Sequence, residues 1–200
     1  MDPTRRPPLR QLILSGTLTA LLWSVPTGAQ SGAQSATGPP SLQGERRPFT
    51  QVAPPYPAPL TPMYTAKGGV ANLRRYRGRV VVLNFWATWC VSCLHELPAL
   101  SRLQNDLGGE QFDVVTLNVD EANPARVARF FTRLGITNLP RLQDPAGRAP
   151  AAFKTHHGLP WSFIIDRDGL VQGYIMGSVN WDSDPARKLL AYYLKQIPGR

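Results

Sequence analysis

Cys90 and Cys93 are the only cysteines of the chain, separated by Val91-Ser92. They sit where a run of strand formers, Val80-Val81-Val82-Leu83-Asn84-Phe85, gives way to a predicted helix. Two thiols three residues apart on the first turn of a helix share a face and lie close enough to close a disulfide. The helix N-terminus presents unpaired N–H groups and partial positive charge, which lower the first thiol's pKa and favour its thiolate. The thiolate is the form that attacks disulfides. The placement therefore points to redox chemistry, with Cys90 as the attacking sulfur and Cys93, one turn inside, as the resolving one. A purely structural bridge is the competing reading. So short a loop restrains the unfolded chain little in the loop-entropy picture, which favours a catalytic pair.

The surrounding elements must present this pair. Val80 to Phe85 is apolar almost throughout, the mark of a strand buried on both faces. A helix follows from Cys90 to Leu107, with Leu94, Leu97, Leu100, Leu103 and Leu107 at roughly helical spacing. Pro98 is expected to kink it and Gly108-Gly109 to end it. Phe112 to Val119 reads as the next strand, and Asn123-Pro124 as the cap and first residue of a helix reaching Leu134. Trp161 to Ile165, a turn at Asp166-Arg167-Asp168-Gly169, and Leu170 to Met176 form an antiparallel hairpin. A terminal helix runs from Pro185 to Ile197. A strand–helix–strand order implies a parallel pair with a right-handed crossover. The fold class is α/β: a βαβ half joined to a ββα half, with a mixed central sheet flanked by helices.

The chain's 22 basic and 13 acidic residues give a formal charge of +9. Its densest basic patch, Arg74, Arg75, Arg77 and Arg79, carries one interleaved aromatic, Tyr76, and no nucleic-acid motif. It reads as a solvated turn, so no nucleic-acid partner is expected. Residues 1–29 read as a signal peptide or N-terminal membrane anchor. Arg5, Arg6 and Arg10 precede an apolar stretch from Leu12 to Val25, and Thr27-Gly28-Ala29 supplies small residues for cleavage. Thr4 to Arg10 also resembles a twin-arginine export signal, from which Pro8 departs. Residues 30–60, rich in Ser, Gly, Ala, Gln and Pro, read as a disordered linker. The folded domain is expected over 61–200.

Asn84-Phe85-Trp86-Ala87-Thr88-Trp89-Cys90-Val91-Ser92-Cys93, followed by Glu96-Leu97-Pro98, resembles the active-site segment of the TlpA-like (ResA-type) thioredoxins, exported bacterial thiol–disulfide oxidoreductases. Gly158-Leu159-Pro160, then Ser162-Phe163-Ile164-Ile165-Asp166, is similar to their cis-proline segment. The resemblance covers residues 61–200 and implies a thioredoxin fold with Cys90, Cys93, Glu96 and Pro160 as catalytic residues. Cytosolic-type thioredoxins carry a buried Asp where this chain has Asn84, and an amide cannot take the proton of the second thiol. The family pattern places Glu96 in that role, one turn beyond Cys93. Its competing reading is a first-turn carboxylate favoured by the helix dipole. Pro160 is expected to have a cis peptide bond, which leaves the backbone of Leu159 to pair with an incoming substrate strand. Trp89, Leu159 and Trp161 are the expected substrate contacts, with core filling the alternative for Trp161.

The resemblance further implies a periplasmic protein, free or held at the inner membrane by its N-terminus, that acts as a protein disulfide reductase. Its partners would be exported proteins with cysteine pairs, such as metal chaperones or apocytochromes, and a membrane-embedded electron donor. It needs no cofactor, since the dithiol carries both electrons. Haem attachment is excluded because Leu94 separates Cys93 from His95. Peroxidase chemistry is disfavoured, because Thr88 lies two residues rather than three ahead of Cys90. The alternative from another class is a copper- or zinc-binding protein using Cys90, Cys93 and one of His156 or His157.

Overall fold

The computed structural model describes residues 38–196 apart from 122 and 157. The leader reading, the first part of the expected linker and the end of the terminal helix at Ile197 lie outside these residues. Among them, eight strands form one mixed sheet: β1 (Thr50–Pro57), β2 (Met63–Thr65), β3 (Val70–Ala71), β4 (Val80–Trp86), β5 (Phe112–Asn118), β6 (Leu142–Gln143), β7 (Trp161–Ile165) and β8 (Leu170–Met176). Their spatial order is β1-β8-β7-β4-β5-β6-β2-β3. The helices are α1 (Val91–Leu107), α2 (Pro124–Arg133), α3 (Arg148–Ala152) and α4 (Asp184–Lys195).

The central strand β4 is buried at every position. It pairs in parallel with β5 and antiparallel with β7, and β7 pairs antiparallel with β8. These are the expected halves: a β4–α1–β5 crossover and a β7–β8–α4 unit. Alternation along β4 divides the interior into two layers. Val80, Val82 and Trp86 pack with α1, α2 and α4, in the cluster that includes Cys90 and Cys93. Val81, Leu83 and Phe85 pack on the other face with Phe153, Trp161 and Phe163. Asn84 is in phase with the first set and so points toward α1.

Helix α1 is continuous from Val91 to Leu107 with the half-buried Pro98 inside it, beside the buried Leu97, Leu100 and Leu103. Helix α2 begins as expected, with the Asn123 side chain accepting from Arg126 N and Pro124 in the first turn. Strands β2, β3 and β6 and helix α3 are too short to leave a periodic signal in sequence.

The expected boundary at residue 61 is corrected by the structure. Strand β1 lies inside the segment read as a linker and pairs antiparallel with β8. Its prolines are compatible with a strand because β1 is at the sheet edge, where missing N–H donors break no ladder on the open side. The register is interrupted between Gln51 and Tyr56, around Pro54-Pro55. Upstream, Leu42 is only 3% exposed and joins the cluster that holds the cysteines. Phe49 packs edge-on against Tyr193 at 6.1 Å. Composition suggested a tether because two anchoring side chains, far apart among polar residues, carry the packing. Leu42→Ala is therefore expected to destabilise the oxidised protein by roughly 2–5 kcal/mol in urea unfolding. A loss below about 0.5 kcal/mol, the range of an ordinary surface change, would restore the tether reading.

Candidate active site

Cys90 is the N-cap of α1, with φ −88° and ψ 101°. Its Sγ accepts a hydrogen bond from Cys93 N at 3.2 Å, so a first-turn amide is aimed at the first sulfur. Such donation stabilises negative charge on that atom once the bridge is reduced. The two sulfurs form a disulfide, with Cα atoms 5.3 Å apart. Ser92 Oγ lies 3.6 Å from Cys90 Sγ. Cys90 keeps 5% exposure and Cys93 1%. In this oxidised form Cys93 is covered and Cys90 nearly so. Trp89 and Val91, by contrast, are 66% and 65% exposed and flank Cys90 as large apolar surfaces. The approach to Cys90 is fixed from below, because Thr88 N donates to Asp120 Oδ2 at 2.6 Å. A cleft of about 620 Å³ opens beside Trp89, with Val119, Asp120 and Arg126 on its walls.

Glu96 is 3% exposed and lies beyond the first turn of α1, which starts at Val91, so the reading as a first-turn carboxylate favoured by the helix dipole is set aside. Its Oε1 accepts from Trp181 Nε1 at 2.6 Å and Val179 N at 3.1 Å, and its Oε2 from Asn84 Nδ2 at 3.3 Å. Asn84 Nδ2 is also 3.0 Å from Ser162 Oγ. Burial pushes the Glu96 carboxyl up to about 8, against the opposing pull of the Trp181, Val179 and Asn84 donors; the Glu45 charge adds a small upward push. A buried carboxyl with a pKa close to that of a free thiol is suited to exchange a proton with one. Sequence reasoning found Glu96 but not Val179, Trp181 or Ser162. The only hint was an aromatic, Trp181, just ahead of the Ser183 cap of α4.

The Leu159–Pro160 peptide is cis, as the resemblance implied. Pro160 O accepts from Gly177 N at 2.9 Å, tying this segment to the turn after β8. Leu159 is half-buried and packs against both core clusters, the one that contains the cysteines and the one on the opposite face. Trp161 does not join the cysteines. Its ring is buried on the opposite face of the sheet, stacked on Phe163 at 6.0 Å and 13°, with Nε1 donating to Gly158 O at 2.9 Å. Of its two readings the structure supports core filling, since a residue on alternate phase to Ser162 must face away from Asn84.

The metal reading asked Cys90, Cys93 and a histidine to converge. Among the described residues no group of three or more His, Cys, Asp or Glu side chains is placed to hold a metal. His156 instead lines a cavity of about 560 Å³ on the Trp161 side, with Tyr56 and Phe153, and His157 lies outside the described residues.

The comparisons with known proteins agree with this geometry. The profile of the AhpC/TSA family matches residues 50–174. The thiol-disulfide oxidoreductase ResA of Geobacillus kaustophilus is 33% identical over 130 residues, which cover 65% of this chain and 73% of the relative. The crystal structure of a putative thiol:disulfide interchange protein DsbE from Chlorobium tepidum superposes with a TM-score of 0.62 at 28% identity, covering 70% of this chain and 96% of that one. An exposed lipoprotein thioredoxin from Streptococcus pneumoniae gives a TM-score of 0.56 at 26% identity, covering 68% and 98%. With a Cys-x-x-Cys pair capping the helix that follows the central strand of a thioredoxin-like sheet, the chain belongs to the AhpC/TSA family, as a thiol–disulfide oxidoreductase of the ResA and DsbE type.

Proposed function

We propose that the protein is an exported disulfide reductase in which Cys90 attacks, Cys93 resolves and Glu96 handles the proton of Cys93. The observation that carries this reading is the buried, hydrogen-bonded Glu96 carboxyl on the turn after Cys93. In the reduced protein the Cys90 thiolate, stabilised by the α1 N-terminus, attacks one sulfur of a partner's disulfide. A mixed disulfide forms and the partner's other sulfur leaves as a thiolate, which takes a proton from water. The Cys93 thiol then gives its proton to Glu96 in the fraction whose carboxyl is ionised, a fraction that grows as pH rises toward about 8, and its sulfur attacks Cys90 Sγ. The bond between Cys90 and the partner breaks, the partner's second thiolate leaves, and the Cys90–Cys93 disulfide is formed. Two electrons have passed to the partner.

The exposed Trp89 and Val91 flank Cys90 with apolar surface, which supports docking of an extended partner segment that pairs with the Leu159 backbone. Export is supported by the arginines followed by Leu12 to Val25 in the leader. Outside the cytoplasm the dithiol must be re-reduced from a membrane-embedded donor. The substrates are exported proteins with cysteine pairs, of the metal-chaperone or apocytochrome kind.

Cys93→Ser is expected to accumulate mixed disulfides through Cys90 that disappear with reductant, and Cys90→Ser few or none, read on non-reducing gels from export-competent cells. Predominant trapping by Cys90→Ser would exchange the two roles. Glu96→Gln should slow exchange by roughly a hundredfold and move the pH dependence of its rate. An unchanged rate–pH profile would leave Glu96 a packing role only.

The same carboxyl makes a thermodynamic prediction. Its native pKa of about 8 lies above the ordinary value of 4.5. Between those limits the native state holds a proton that the unfolded state has released. Stability must therefore fall as pH rises through that window, by roughly 1 kcal/mol per pH unit from this group. Urea unfolding of the oxidised protein between pH 5 and 8 should show the decline and Glu96→Gln should flatten it. Equal slopes in both proteins would mean that Glu96 is ionised in the fold at neutral pH.

A further inference from the structure

Residues 43–48 form a small hairpin, closed by an antiparallel bridge between Gln43 and Pro48 and pinned at its two ends by the buried Leu42 and the packed Phe49. Its tip lies on the turn that follows β8. Glu45 N donates to Ser178 O at 2.9 Å, and Ser178 N and Oγ donate to Glu45 Oε2 at 3.2 and 2.9 Å. Gly44 has no room for a side chain, because a Cβ there would run into Ile175 and the Arg47 carbonyl. The tip is thus held by backbone contact and by a doubly bonded carboxylate.

This anchoring places the Arg46 backbone, whose N donates to Met176 O at 3.4 Å. A Cβ on Gly158 would lie 2.6 Å from Arg46 Nη1, and a Cβ on Gly177 would lie 2.9 Å from Arg46 N and 3.0 Å from its Cγ. Gly158 stands two residues before Pro160, and Gly177 donates to Pro160 O. Gly177 leaves room for the Arg46 backbone, the Arg46 guanidinium reaches Gly158, and the exposed Arg46 thus spans the two backbone segments that flank Pro160. From the reading in which Leu159 pairs with a partner strand, we infer that Arg46 is a specificity-determining residue. It lines the partner groove with positive charge from an anchored backbone and selects polypeptides that carry an acidic side chain next to their reacting cysteine.

The test uses the reduced full chain and two disulfide-linked peptide dimers that differ only in Glu or Lys beside the cysteine. Hydroxyethyl disulfide serves as a small uncharged substrate. Wild type should reduce the Glu peptide faster than the Lys peptide by roughly two- to fivefold at low salt, as expected for an exposed charge pair, and high salt should erase the difference. Arg46→Ala should remove the preference and Arg46→Glu should invert it. Hydroxyethyl disulfide should be reduced at one rate by all three proteins. A common Glu-to-Lys ratio in the three proteins, with hydroxyethyl disulfide turned over normally, would overturn the role of Arg46 alone. Equal losses on all substrates in the variants would also overturn it, by showing a structural role. Failure of every protein on hydroxyethyl disulfide would sink the exchange reading and this inference with it.

Discussion

A carboxyl group in an apolar interior must find donors, and Glu96 finds them on three separate parts of the chain. Asn84 comes from the middle of β4, Val179 from the turn after β8, and Trp181 from the approach to α4. These bonds lock the cysteine-bearing helix to the central strand and to the ββα half at one point. They also explain the amide at Asn84. An ionised Asp there would offer no donor and would set a second negative charge against Glu96, whereas the Asn84 amide donates to it. In the proposed mechanism the proton acceptor stands on the helix, and the strand residue Asn84 donates to it.

The two faces of the sheet divide the work. One carries the cysteines, Glu96 and its donors beneath α1 and α4. The other is an aromatic layer in which Phe85, Phe153, Phe163 and Trp161 contact one another, with Phe153 and Phe163 centroids 4.6 Å apart. Strand β7 belongs to both layers. Its odd residues are gripped by the aromatic layer while Ser162 meets Asn84, and Pro160 leads directly into it. Rigid packing on the face without chemistry thus fixes the backbone that must stand beside the cysteines.

Much of this was legible in the sequence because its signals are local. The Cys90–Cys93 spacing, the unbroken apolar β4, the Asn123-Pro124 cap and the turn between β7 and β8 each lie within a few residues. Glu96 was reached through the family resemblance, which places it one turn beyond Cys93. Its partners were not, since Val179 and Trp181 are 83 and 85 residues away and belong to no periodic pattern. Residues 42–57 were misjudged for a related reason. Proline and small polar residues dominate their composition, but an edge strand tolerates proline and two side chains suffice to dock the hairpin. Trp161 shows the reverse case: the sequence offered two readings, and the alternation of β7 decides between them.

The central claim is that Glu96 is a proton-carrying group at neutral pH, and it can be observed directly. The protein would be labelled with ¹³C at the glutamate side-chain carboxyl, and the Glu96 resonance, assigned by its loss in Glu96→Gln, followed against pH in the oxidised state. The account predicts a midpoint near 8, in line with a carboxyl raised by burial and held by Trp181, Val179 and Asn84. A midpoint near 4.5, the value of an ordinary glutamate, would contradict it.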